Sequence, residues 1–136
     1  MRSKIVLLML GLTVSVLTNA ANVAYTGAGA SGDIADVANW GGRLPGTDDV
    51  GVIDVASYGN DFVLSSDVSF GGLSFSGNSS LVTVESTHTL TVGGGGIVAG
   101  SNGGFTLKLP LAVSAASTWD FGGGPTKFYG TISGTS

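Results

Sequence analysis

The sequence predicts an all-β chain folded as a right-handed parallel β-helix, with three short strands in each coil of about 20–24 residues. Three observations carry the β-helix; the handedness rests on a resemblance given below. The first is composition: 24 of the 136 residues are glycine, only 10% are charged, and Val, Thr, Ser and Leu fill much of the remainder. Strand and turn formers are abundant where helix formers such as Lys and Glu are scarce. Disorder needs low hydrophobicity and high charge, and this chain has the reverse.

The second observation is a rhythm of short apolar runs. VGVIDV (50–55) reads as a strand from its β-branched content, and DFVLSSDVSF (61–70) as one or two more. LSF (73–75), LVTV (81–84), LTV (90–92), IVA (97–99) and FTL (105–107) follow. LAV (111–113), TWDF (118–121), KFYG (127–130) and TIS (131–133) continue the series. SGNSS, GGGG, GSNGG and GGGP separate them as turns. Strands this short need many neighbours to be stable.

The third observation is a longer period, which links equivalent runs: Leu73 to Ile97 to Thr118, Leu81 to Phe105 to Lys127, and Leu90 to Leu111 to Thr131. Equivalent strands would stack about 4.8 Å apart, and each coil would bury its apolar face against the next. The inward set is Leu73, Phe75, Val82, Val84, Leu90, Val92, Ile97, Phe105, Leu107, Leu111, Val113, Trp119 and Phe121. An antiparallel β-sandwich also shows short strands at regular spacing and stays open as the alternative. A hairpin-type Asn-Gly turn occurs only at Asn102-Gly103, which favours the β-helix.

Three regions follow in chain order. Residues 1–20, MRSKIVLLMLGLTVSVLTNA, place Arg2 and Lys4 before an apolar run and end in small residues, the pattern of a secretory signal peptide cleaved after Ala20 or Ala21. Residues 21–49 form an N-terminal cap region, and 50–136 form the coils. Without cysteine, an exported chain must rely on burial and hydrogen bonding rather than disulfides. Once Arg2 and Lys4 leave with the signal, Arg43, Lys108 and Lys127 face nine acids. So few cations cannot neutralise phosphates, which excludes nucleic acid and disfavours anionic lipid as partners.

No residue pattern demands chemistry. Asp48 and Asp49 could share a proton or hold Ca²⁺, but nearby acids follow no calcium-loop pattern. Pro45-Gly46 makes them part of a turn in which an Asp side chain accepts backbone N–H groups. GAGASG (27–32) matches a dinucleotide fingerprint in letters, with Asp54 as its acid, but no crossing helix follows it. GGGG (93–96) lacks the Lys-Ser/Thr of a phosphate loop. His88 is the only histidine, so a histidine cluster cannot form, and no G-x-S-x-G elbow exists. No metal site and no cofactor are expected. Trp40 reads as a cover over the first coil and Trp119 as core; a sugar-stacking role is the alternative for each. Asn78-Ser79-Ser80 is a glycosylation sequon.

Residues 109–134, LPLAVSAASTWDFGGGPTKFYGTISG, resemble the autotransporter-associated β-strand repeat. The apolar strand is 111–113, the small-residue turn 114–117 and the T-W pair Thr118-Trp119. The glycine turn 122–124, the strand Phe128-Tyr129 and the G-x-I-S-G close at 130–134 complete the pattern. Asn39, Trp40, Gly42, Leu44, Pro45, Gly46, Asp49 and Val52-Ile53 are similar to the segment preceding such repeats in large exported bacterial β-helix proteins. The resemblance implies a right-handed β-helix, exported and often displayed at the cell surface, with adhesive or structural roles and no catalytic residues. Trp40, Gly42, Pro45, Gly46 and Asp49 are then cap and turn residues, and Trp119 and Phe121 repeat-core residues. Such proteins usually run much longer, to an outer-membrane barrel or sorting signal, so the coils are expected to continue past residue 136.

The function expected is a non-catalytic secreted or surface-displayed structural or adhesin-type segment, with surface glycans or host and cell-surface proteins as candidate partners. The mature segment itself is not expected to touch the membrane. Two alternatives are the N-terminal part of a polysaccharide lyase or glycosidase β-helix, and a carbohydrate-binding module using Trp40 or Trp119.

Overall fold

A computed structural model describes residues 20–30, 32–77, 81–100 and 104–134. Residues 1–19, which carry the signal-like pattern, the sequon at 78–80 and the Asn102-Gly103 pair lie outside the described residues. The strands are β1 (Asn22–Ala24), β2 (Val50–Asp54), β3 (Asp61–Val63), β4 (Val68–Ser76), β5 (Val82–Glu85), β6 (Leu90–Ala99), β7 (Phe105–Lys108), β8 (Leu111–Val113), β9 (Thr126–Phe128) and β10 (Ile132–Gly134). Every pairing among them is parallel. The chain is a parallel β-solenoid of about four turns.

Each coil presents three faces. The first runs β1, β2, residues 72–76 of β4 and 96–99 of β6, and ends in a bridge from Val98 to Asp120. The second runs β3, β5, β7 and β9, with a bridge from Asp33 to Val63 below it. The third runs residues 68–70, 90–92, β8 and β10. Because β4 and β6 pass through the corner between third and first faces, hydrogen bonding joins those faces into one six-stranded sheet.

The register steps from Val68 to Leu90 to Leu111 to Ile132, and from Phe62 to Val84 to Leu107 to Phe128. Leu73 pairs with Ile97, as the sequence period requires. The period therefore holds, with one-residue differences. Phe105 pairs with Val82 and Thr126, not Leu81 and Lys127. Ile132 rather than Thr131 pairs with Leu111, and the Val98–Asp120 bridge sets Ile97 level with Trp119 rather than Thr118. The inward residue sets the register, and a slip of one turns a side chain to the opposite face. Leu81 is outside, 48% exposed.

Three local readings are corrected. The strand expected over 50–55 stops at Asp54, whose carboxylate accepts from the Ala56 N–H and starts a single helical turn, Val55–Tyr58. GGGG (93–96) is not a turn between strands but part of β6, bulged at the corner between two faces with Gly96 in the left-handed region. TWDF forms only the Asp120 bridge, not a strand.

Glycine is required where coils touch at this corner. A Cβ on Gly71 would lie 2.5 Å from the Asp48 carbonyl carbon, so only glycine lets the 46–49 turn stack against β4. Gly96 has φ +62°, and a Cβ there would meet the Trp119 ring at 2.6 Å.

The interior is an unbroken apolar column. Leu73, Phe75, Val82, Val84, Leu90, Val92, Ile97, Phe105, Leu107 and Leu111 are all buried. Full burial of one such side chain stabilises by about 1.5–3 kcal/mol. Phe62, Phe75, Phe105 and Phe121 form an aromatic ladder climbing the corner between first and second faces, with ring centroids 5.7, 5.1 and 5.5 Å apart. Val113, Trp119 and Phe121 pack on the core but are only partly buried.

Candidate functional site

The polar side chains that could do chemistry gather in the first coil, residues 21–49. That coil runs from Val23 to its partner Gly51, longer than the coils above it, and a 3-10 helix, Val37–Trp40, replaces the strand of the third face. So little regular structure leaves many backbone groups without ladder partners, and side chains supply them.

Asp36 caps the short helix. Its carboxylate accepts from the Ala30 and Ala38 N–H groups at 2.8 and 3.0 Å, which lowers its pKa. Asn39 has no exposed surface. Its Oδ1 accepts from Gly29 N–H at 2.7 Å, and its Nδ2 donates to the Ala30 and Asp33 carbonyls at 2.7 and 2.8 Å. Asp33 accepts from Ala35 N–H, and from Ser65 N–H in the next coil. Asn39→Ala would leave the half-buried Gly29 N–H without its acceptor and leave the Ala30 and Asp33 carbonyls only the longer bonds from Asp33 and Asp36 N–H, at 3.3 and 3.4 Å; an unsatisfied buried group costs about 1–3 kcal/mol. Urea unfolding should show a loss of at least about 2 kcal/mol, whereas Ser57→Ala on the exposed helical turn should lose under about 1 kcal/mol.

Trp40 is 3% exposed. Its Nε1–H donates to the Ile34 carbonyl at 2.8 Å, and its ring meets Tyr25 and Phe70 edge-on with centroids 5.1 and 5.6 Å away. It fills the space above Gly51, where a Cβ would lie 2.8 Å from the indole, and buried Pro45 packs against the same glycine. Trp40 presents no free face to a sugar. Beside it, the Tyr25 phenol has its pKa pushed above the usual range because it is buried, with the Asp33 and Asp36 charges adding to the effect.

Gly42 is exposed at φ +97° and leads the chain out of the helix. Gly46 opens a turn closed by Asp49 N–H donating to the Gly46 carbonyl at 3.0 Å. Gly71 and Gly72 N–H groups of β4 then donate to the Gly46 and Asp49 carbonyls, fixing the turn to the coil above. The Asp49 carboxylate accepts from Arg43 Nη1 at 2.6 Å, Gly46 N–H at 2.8 Å and Ala21 N–H at 3.1 Å. These donors, Arg43 first, hold its pKa down to about 2.

That depression has a sign. A carboxylate whose folded pKa is lowered adds stability above its unfolded value of about 3.9, lost as pH falls through the folded value. Acid titration should therefore weaken the first coil between pH of about 4 and about 2. Asp49→Asn should flatten that window, with Asp36 leaving a residual slope in the same direction.

The other sequence candidates are dispersed. His88 lies on a turn with Nδ1 3.4 Å from Asp67, both side chains well exposed. Lys108 pairs with Glu85 across neighbouring strands. The described part of GAGASG ties to Asn39 and Asp36 through Gly29 and Ala30. No group of three or more His, Cys, Asp or Glu able to hold a metal occurs among the described residues. A shallow groove of about 200 Å³ lies along the third face, lined by Thr91, Ala112, Val113, Ser114, Ser133 and Gly134, none titratable.

Trp119 and Phe121 stand far from the first coil. Trp119 Nε1–H donates to Ser117 Oγ at 2.7 Å, and both rings meet Phe128. Phe128, Tyr129 and Ile132 nearby are 37%, 65% and 55% exposed.

Asp33, Asp36 and Tyr25 carried no sequence signal beyond one: an Asp at the N-cap of a short helix, as Asp36 is. No protein-family model, curated protein or solved structure matches the chain.

Proposed function

We propose that the chain is a non-catalytic, exported β-solenoid segment, secreted or displayed at the cell surface, serving as a structural or adhesin-type scaffold. The observation that carries this reading is how the polar side chains are used. Asp33, Asp36, Asn39 and Asp49, the best chemical candidates, each spend their acceptors on backbone N–H groups that hold the first coil. A reactive carboxylate would instead be aimed at a cleft with its pKa tuned towards its task. The resemblance of 109–134 to autotransporter-associated repeats supports the same reading, as does the signal-like pattern of residues 1–20.

The test is to express the full chain in an exporting bacterium and incubate the recovered protein with a panel of polysaccharides and with host-type cells. The proposal expects recovery outside the cytoplasm, and adhesion to cells or glycans without release of sugar. Release of unsaturated or reducing ends, or retention of the chain in the cytoplasm, would overturn it.

A further inference from the structure

Residue 21 has an unusual position for a chain entering its first strand. Its carbonyl accepts from Val50 N–H at 2.9 Å, and its nitrogen donates to Asp49 Oδ1 at 3.1 Å. Both polar backbone atoms of Ala21 are thus taken, one by the turn residue Asp49 and one by Val50, the first residue of β2. Ala20, one residue earlier, is exposed. The two Asp49 oxygens divide their partners: Oδ1 faces Ala21, and Oδ2 takes Arg43 and Gly46.

We propose that Ala21 is the first residue of the processed chain and that Asp49 is the acceptor for its α-ammonium group. The proposal rests on the exported reading above. Hydrolysis of the Ala20–Ala21 peptide bond by a signal peptidase breaks the C–N bond. Water gives its hydroxyl to the Ala20 carbonyl carbon and a proton to the Ala21 nitrogen, and solvent supplies the second proton that makes the ammonium. The neutral amide donor facing Asp49 Oδ1 becomes a charged donor. A charge-assisted hydrogen bond replaces a neutral one, and such bonds are roughly twice as strong. Cleavage after Ala21 would instead remove the nitrogen that Asp49 holds and the carbonyl that Val50 uses. Of the two cleavage positions the sequence permits, the geometry favours the first. Asp49 is then a carboxylate between two cations, the chain terminus on one oxygen and Arg43 on the other. Removal of the leader puts a charge on a contact that the unprocessed chain already makes.

The experiment uses the full chain exported from a bacterium. Intact mass and N-terminal sequencing locate the first residue. The processed protein is then labelled with an amine-acylating reagent near neutral pH, with exposed Lys108 and Lys127 as internal references. An ammonium paired with Asp49 holds its proton longer. Its labelling should be roughly three- to tenfold slower than in Asp49→Asn, a tenfold change corresponding to one pKa unit. Arg43→Ala, which removes the competing cation from an exposed position, should slow labelling further and serves where Asp49→Asn folds poorly. A chain that keeps residues 1–20 overturns both this proposal and the exported reading. A chain beginning at a residue other than Ala21 overturns this proposal alone. So does a terminus at Ala21 whose labelling is the same in the wild type and in both variants.

Discussion

Phe105→Ala is expected to cost about 3–5 kcal/mol, read as a lower urea midpoint with an unchanged slope. Phe105 has no exposed surface and is an inner rung of the aromatic ladder, with Phe75 at 5.1 Å and Phe121 at 5.5 Å. Alanine removes the ring from both contacts. The cavity cannot collapse, because backbone ladders hold β5, β7 and β9 at fixed spacing on either side. Phe128→Ala, on the partly exposed edge of the same aromatic group, should cost no more than about 1.5 kcal/mol. Equal losses at the two positions would mean that the ladder is not the core.

Trp40→Ala is expected to cost a similar amount, about 3–5 kcal/mol at its site, with a different signature. It removes the ring that covers Gly51 and leaves the Ile34 carbonyl without its indole donor. In a solenoid each coil contacts only its neighbours, so damage at one end frays that end first. Amide hydrogen exchange should therefore lose protection at the ladder hydrogens of the first coil, such as Tyr25 and Ile34, which donate to Val52 and Val63. Protection in β5, β7 and β8 should persist. Uniform loss of protection along the chain would show that the coils unfold as one unit.

The coils from Gly71 onward are legible because their information is periodic. Apolar residues recur once per coil, and the inward residues from Leu73 to Leu111 are all buried. The corner at GGGG was misread because glycine runs signal turns. There the need was close approach, with Gly93 and Gly95 packed on the Gly71 backbone, which extended chain serves equally well. The first coil was the least legible. Val23, Tyr25 and Ile34 are buried yet isolated in sequence, with no run or period to reveal them. Asn39 and Asp33 hold that coil through side-chain-to-backbone bonds, which leave no spacing pattern. In residues 39–49, Trp40 lies over Gly51, Pro45 packs against the same glycine, and Asp49 sits at the turn. Asp49 is engaged by Arg43, Gly46 and Ala21, which makes it a residue of the turn.

The most direct measurement is the set of cross-strand proton contacts on the second face, by NMR of the isotopically labelled chain. In the solenoid, Phe62 lies beside Val84 and Val84 beside Leu107, on strands of successive coils running in the same direction. The predicted result is backbone contacts between those residues and none between β5 and β6, which follow one another in sequence but lie on different sheets. Close Hα–Hα pairs between β5 and β6, the mark of an antiparallel hairpin, would contradict the account.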